Sequence, residues 1–289
     1  MKKTLIALAM AASAASSMAH AWTSGDFNGS VDIGGNITTD DYRQKWEWAV
    51  GNDLNSFINT LGDLTNDGKT LTVTVNGDKT ILKGRTKEAF NTPVLGVGAV
   101  PHIQYSDGPG NVLPVSRDAA GGNNGRMHFA TPLPVLDDAG NKIGQSDLFF
   151  SMGSLRAVEG TLADGDSAEL GLASAWGGNK GSTNFIFNGG MDVGILQNGN
   201  DAALTAKLGG MSASDALVQL QQKLPNLGGF TAILTQGKTE NMRYSGNTFV
   251  SASYASGFVD GSQIVLNFDS AITKTTQWHM PLNVQVSYN

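Results

Sequence analysis

The sequence predicts an all-β fold, and three observations carry that prediction. Glycine supplies 37 of 289 residues, among many Asn, Thr and Ser, as frequent turns between short strands require. Apolar and polar residues alternate with period two in run after run. Sustained helical periodicity is scarce.

Taken in order, residues 1–21 read as a targeting segment. Lys2 and Lys3 precede an apolar run over residues 4–16, and Ala19-His20-Ala21 gives a small-x-small cleavage pattern, predicting a signal peptide removed before Trp22. A retained anchor would need a longer apolar run. Cleavage lowers Lys plus Arg from 19 to 17 against 25 Asp plus Glu, and this acidity argues against nucleic acid as a partner. With no cysteine, the exported chain must draw its stability from burial or from a partner.

The first strand is predicted over residues 25–37, GDFNGSVDIGGNI. Phe27, Gly29, Val31, Ile33, Gly35 and Ile37 point one way, and Asp26, Asn28, Ser30, Asp32, Gly34 and Asn36 the other. A strand follows over 42–50, with Trp46, Trp48 and Val50 on one face. A hairpin is predicted over 71–84 about Asn76-Gly77, a dipeptide suited to left-handed turn dihedrals. Further strands are expected in part of 94–105 and over 126–130, 184–187, 231–235, 248–254, 263–268 and 282–288.

One helix has clear signals: Ser212 and Asp215 at capping-box spacing, then Leu217, Leu220 and Leu224 before Pro225. A short helix over 55–64 would carry Phe57, Ile58 and Leu61. The middle of the chain is looser in texture, so the expected organisation is a core built from both ends, interrupted by an insertion over about 108–229.

Little catalytic chemistry is visible. His102, His128 and His279 are isolated in sequence, without metal-ligand spacing. Gly237-Lys238-Thr239 resembles the end of a phosphate loop, but Ala232 stands where the first glycine belongs. Asp137-Asp138 and Asp164-Gly165-Asp166 read as acidic turns, without a calcium-loop frame. No Gly-x-Ser-x-Gly elbow occurs. The expectation is a protein that is not an enzyme and uses no cofactor or metal. Lys79, Lys83, Arg85 and Lys87 form a basic patch, read as solvated charge on a strand edge or as a contact for acidic glycan.

The ends suggest more than an ordinary sandwich. The strand over 25–37 lies near the expected mature terminus and has glycines on its apolar face, where another backbone could approach closely. Leu282, Val284, Val286 and Tyr288 alternate with Asn283, Gln285 and Ser287 at the other end. One reading pairs the first strand inside its own sandwich. The other lets it leave and complete a neighbour's sheet edge by β-augmentation, a head-to-tail contact that builds filaments.

The stretches MKKTLIALAMAASAASSMAHAW, GDFNGSVDIGGNIT, DDYRQKWEWAVG, GRTKEAF and TQWHMPLNVQVSYN resemble the large major-subunit adhesins of enterotoxigenic Escherichia coli fimbriae, assembled by the chaperone–usher route. The likeness covers about residues 1–105 and 240–289 and is faint between them. It implies an incomplete immunoglobulin-like sandwich completed by donor-strand exchange, with an inserted ligand-binding subdomain containing a short helix. The partners it implies are neighbouring copies, a periplasmic chaperone, an outer-membrane usher and host cell-surface glycans. The implied route runs through the periplasm to a surface fimbrium. The donor residues would be Phe27, Gly29 (facing the narrowest pocket), Val31, Ile33 and Ile37, within an extension over 22–37 ahead of a core over 38–289. The groove and chaperone edge would be Leu282, Val284, Val286 and Tyr288. Two departures stand out: no cysteine pair, and Thr276 near the place where many pilins have glycine.

The family also implies a receptor site in the insertion. A sugar needs a ring against its apolar face and polar groups for its hydroxyls. Candidates are Phe149, Phe150 and Trp176 as rings, with Arg156, Glu159, Asn179 and Lys180 as polar groups. Trp176 is the preferred platform, the alternative being a buried anchor. Phe185 and Phe187 are expected in the core. A purely structural subunit without its own receptor site remains the alternative function.

Overall fold

A computed structural model describes residues 41–118, 125–162, 169–178, 182–192 and 201–289. The predicted signal peptide and the strand over 25–37, with Phe27, Gly29, Val31, Ile33 and Ile37, lie outside the described residues, as do Asn179 and Lys180. The described body is an all-β sandwich with two short helices. In chain order its first strands are β1 (Trp46–Val50), β2 (Leu64–Thr65), β3 (Thr70–Thr74), β4 (Lys79–Thr86), β5 (Pro101–Asp107) and β6 (Val115–Arg117). Next come β7 (Arg126–Phe129), β8 (Leu133–Leu136), β9 (Lys142–Ser146), β10 (Phe149–Thr161), β11 (Gly171–Ala173) and β12 (Ala175–Trp176). Helices α1 (Asp201–Lys207) and α2 (Ala213–Lys223) precede β13 (Lys238–Thr239), β14 (Asn247–Phe258), β15 (Gln263–Phe268) and β16 (Leu282–Tyr288).

One sheet runs β1-β4-β14-β10-β7-β6, with β11 added to β10, and the other runs β2-β3-β15-β9-β8. Strand β16 pairs antiparallel with β5 alone, from Leu282↔Asp107 to Tyr288↔Pro101. The core lies between these layers and includes Trp46, Leu71, Val73, Tyr105, Met127, Leu133, Phe150, Val250, Tyr254 and Leu266. Alternation produces this arrangement directly. Strand β5 buries Ile103 and Tyr105 but leaves Gln104 exposed, and β15 buries Ile264, Leu266 and Phe268.

The pair β10–β14 is different. It runs from Ser151↔Gly257 to Thr161↔Asn247, and nearly every residue in it is buried. The second sheet covers one face, and a smaller cluster of Leu155, Ala157, Leu172, Met211, Ala216 and Leu220 covers the other. Small residues make that close approach possible. A Cβ on Gly153 would stand 2.6 Å from the backbone nitrogen of Thr205 in α1. The helix α2 forms as its sequence predicts: Ser212 Oγ accepts from Asp215 N, and the Asp215 carboxylate accepts from Ser212 N at 3.0 Å.

Several expected elements differ. Strands β3 and β4 do not pair across Asn76-Gly77; the turn carries the chain from one sheet to the other. Gly77 takes φ +71° as its turn chemistry requires, and its N–H donates to Asp260 Oδ1 at 2.6 Å. The helix expected over 55–64 shrinks to a 3-10 turn at Leu61–Asp63, because Ile58 is 93% exposed and gives a helix no buried face. Residues 184–187 form turns rather than a strand, with Phe187 at φ +63° and its ring in the core. Residues 231–235 contribute only the bridge Leu172↔Ile233. Finally, the stretch 126–161 expected within an insertion supplies β7, β8, β9 and β10, all members of the two main sheets. Among the described residues between Thr161 and Asn247, β11 alone joins a main sheet.

Candidate functional site: an apolar trough between two strand edges

Strand β1 ends the larger sheet, and β16 has only β5 beside it. Among the described residues, no strand pairs with the outer edge of β1 or the second edge of β16. Backbone donors and acceptors along such edges are obligatory hydrogen-bonding groups. On β16, Leu282, Val284, Val286 and Tyr288 are half-buried and alternate with exposed residues. Their side chains pack on the main core without being fully covered by it. This is the face and alternation that the sequence predicts for those four residues.

A cavity of about 1060 Å³ opens beside Leu282 and Val284. Its floor comes from both layers, with Leu71, Ile264 and Phe268 from one sheet and Ile81 and Phe258 from the other. Its rim is apolar as well: Val50 is 66% exposed, and the Phe57 ring stacks on Trp278 with centroids 6.3 Å apart. A second cavity, of about 660 Å³, lies at the other end of β16 and is lined by Arg43, Leu95, Val97, Val100 and Tyr288. Asp41 lines it too; the Arg43 side chain bonded to it holds its carboxyl below the usual range.

Tyr288, which lines the smaller cavity, accepts at Oη from Trp48 Nε1 at 2.8 Å. The Trp48 ring lies flat on Gly84, where a Cβ would stand 2.2 Å from ring carbon Cε3. Phe187 meets it edge-on at 6.3 Å and Trp46 stacks beside it at 6.2 Å. Burial raises the Tyr288 phenol above its ordinary range, the Trp48 bond opposing that rise. The alternation of Trp46 with Trp48 is visible in the sequence. The bond from Trp48 to the far end of the chain is not, and neither are Phe57 and Trp278 as a stacked pair.

The seven receptor candidates fall into three groups. Phe150 is core, its ring 5.0 Å from Phe129 and 6.2 Å from Tyr105. Arg156 is wholly buried; it donates to the Glu169 backbone oxygen at 2.6 Å and carboxylate at 2.7 Å, and faces Glu240 at 3.9 Å. Glu159 is buried and accepts from both the N–H and the hydroxyl of Thr231, at 2.7 Å each. These three are therefore corrected: they tie the segments 169–176 and 231–244 to β10 and present nothing to a sugar. Phe149 is half-buried on the outer sheet face, with the Arg126 guanidinium 4.6 Å from its centroid and His128 at 5.4 Å. Trp176 is partly exposed, in the small parallel pair β12–β13, and its buried Nε1 finds no hydrogen-bond partner among the described residues. Asn179 and Lys180 fall outside the described residues.

The other sequence motifs resolve simply. Lys79 pairs with Asp53 and Arg85 with Glu47 on the surface. Lys238–Thr239 is strand β13, which is not the helix start a phosphate loop needs. Asp137 closes a turn by accepting from Asn141 N.

A family model for fimbrial major and minor subunits of the K88 type matches residues 1–289. Among curated proteins the chain is 47% identical to K88 fimbrial protein AC and 45% identical to K88 fimbrial protein AD, both of Escherichia coli, across the full length of each. It is 28% identical to the F41 fimbrial protein of the same organism, again across both full lengths.

Proposed function

The chain belongs to the K88 family of fimbrial major and minor subunits, and we propose from its trough that it polymerises by donor-strand exchange. Membership itself makes it a subunit of a surface fimbrium that assembles with others of its kind. On the proposed reading, residues 22–37 of one copy lie beside β16 of the next, placing Phe27, Val31, Ile33 and Ile37 in the trough and Gly29 at its narrowest point. The observation that supports this is the apolar trough between two strand edges that lack a partner among the described residues. An alternating strand satisfies both needs at once, pairing backbone groups and covering side chains at roughly 25 cal/mol per Å² of apolar area. A periplasmic chaperone would cover the same edge before assembly, and an outer-membrane usher would direct the exchange. No chemical step and no cofactor enter such an exchange.

The test is Ile33→Asp in the full chain. A charge carried into an apolar groove without a partner is strongly unfavourable, so filaments should be lost while the subunit still folds on its chaperone. Normal fimbriation of this variant would refute the donor role.

The reading extends to host attachment. With Phe150, Arg156 and Glu159 buried, Phe149 and Trp176 are the described rings left to meet a host glycan. A glycan array probed with wild-type, Phe149→Ala and Trp176→Ala subunits separates an adhesive subunit from a purely structural one. Sugar-competable binding lost in either variant supports adhesion, and no binding by the wild type favours the structural alternative.

A further inference from the structure

We propose that the rim of the trough is a second joint, at which the body of one copy rests on the body of the next; the inference rests on the donor-strand reading. The seven residues of β16 separate two ends of the molecule by about 20 Å at the ordinary strand rise. Of the eight large apolar side chains left exposed among the described residues, Val50, Ile58 and Leu61 line the larger cavity, at the Leu282 end, and Val94 and Leu95 belong to a loop at the Tyr288 end. Exposed apolar residues are ordinary when scattered singly, but clusters of them mark contacts. The second cluster stands beside the start of the described body: Tyr42 N donates to Val97 O at 3.3 Å, and Leu95 lines the smaller cavity with Asp41.

Chain connectivity brings the two clusters together. The extension joins the body at Asp41, so it leaves from the Tyr288 end. A strand laid parallel to β16 in the next copy would set two like ends face to face, and such a pair does not continue. Laid antiparallel, it sets unlike ends together and repeats as a filament. Ile37 then lies toward Leu282, and four peptide steps, at most about 14 Å, separate it from Asp41 of its own body. Val94 and Leu95 of the entering copy are thereby carried to Val50, Ile58 and Leu61 of the receiving one. So few side chains bury too little area to hold two free copies together. Tethered by the strand, the same contact forms at the high effective concentration that a short linker imposes. The occupant of the apolar rim is thus a second copy of this chain, and the contact stiffens a joint that the linker alone would leave free to swing.

The experiment compares fimbriae of full chains carrying Ile58→Asp, Leu95→Asp, or Ile58→Asp with Leu95→Lys. Ile58 is 93% exposed, so folding is not at stake at that site, and Val94→Asp and Val94→Lys stand in for the Leu95 changes should those fail to fold. Each single variant should still form filaments, with a persistence length in electron micrographs about half that of wild type or less, and the opposite charges should restore most of the loss. Wild-type stiffness in both single variants, or a charge pair no stiffer than Ile58→Asp alone, would overturn the joint. A fluorescein-labelled peptide of residues 22–37 separates the joint from the strand itself. It should bind the full chain carrying Ile33→Asp equally well with and without Ile58→Asp, because a peptide brings no body. Weaker binding to the Ile58→Asp host would place Ile58 under the strand and overturn the joint, whereas no binding to either host would overturn the donor-strand reading on which it rests.

Discussion

Replacing Arg156 by methionine tests how the segments beyond Thr161 are held on the sheets. The guanidinium is wholly buried and faces the wholly buried carboxyl of Glu240 at 3.9 Å while bonding Glu169 twice. Glu240 also accepts from Met242 N at 2.6 Å and from Tyr244 Oη at 3.0 Å. Methionine keeps the aliphatic stem and removes the charge, leaving Glu240 buried without its counter-ion. Breaking one side of a buried pair costs about 3–5 kcal/mol. For a body of this size that is a fall in Tm of about 6–20 °C, at roughly 2–4 °C per kcal/mol. Adding Glu240→Gln should restore at least half of the loss, because the amide needs no counter-ion and its oxygen still accepts from Met242.

The pH dependence follows from the same group. Burial raises the Glu240 carboxyl above its ordinary range, with Arg156 opposing that rise. Folded chain therefore binds this proton more tightly than unfolded chain, and the group's contribution falls as pH rises from the unfolded value through the folded one. Without Arg156 the folded value climbs further. The deficit of Arg156→Met relative to the double variant should accordingly be smaller at pH 4.5 than at pH 7.5. Calorimetric melts at the two pH values decide it. A single variant within 2 °C of wild type, or a double variant no better than the single, would refute the buried-pair argument.

Two further outcomes are expected. Burial raises the Asp201 carboxyl to about 7, and its Oδ2 has no hydrogen-bond partner among the described residues; Asp201→Asn should stabilise by up to about 4 kcal/mol at pH 8, since each tenfold change in proton affinity is worth about 1.4 kcal/mol. The gain should vanish near pH 3, where the acid is mostly neutral in both states, and equal melting gains at both pH values would contradict it. Gly84→Ala forces a Cβ into the Trp48 ring, so it should destabilise by about 1–3 kcal/mol and shift tryptophan emission, whereas unchanged emission would mean that the ring is not held there.

How much of this is legible in the sequence depends on whether one face of an element meets water. Strands β15 and β16 and helix α2 follow the predicted bounds closely because each has a polar face, and period two or 3.6 therefore survives in the residues. Strand β10 is invisible as a strand, since burial on both faces replaces alternation by the run Met152-Gly153-Ser154-Leu155-Arg156-Ala157-Val158. The same burial explains why the receptor residues mislead. Arg156 and Glu159 look like exposed polar groups until their partners, Glu169, Glu240 and Thr231, arrive from later parts of the chain. Asn76-Gly77 forms the expected turn without the expected hairpin, because local dihedrals do not say which sheet receives the next strand. The apolar edge at Leu282, Val284, Val286 and Tyr288 is legible. The trough beside it is not, because its floor comes from four separate strands.

The trough also bears on how a chain with no cysteine is stabilised outside the cell. Val50, Ile58 and Leu61 on its rim are 66%, 93% and 51% exposed, and Leu282 and Val284 are only half covered. Fully burying one such side chain is worth about 1.5–3 kcal/mol, so covering the trough would contribute several kcal/mol, comparable to the whole net stability of an ordinary domain at about 5–15 kcal/mol. A disulfide would supply a similar amount, about 2–4 kcal/mol, but inside one chain and independently of assembly. On the proposed reading that margin belongs to the joint between copies. On that reading the subunit would gain it only by entering the filament, and each joint would resist unfolding because both edges, β1 and β16, would gain backbone partners together.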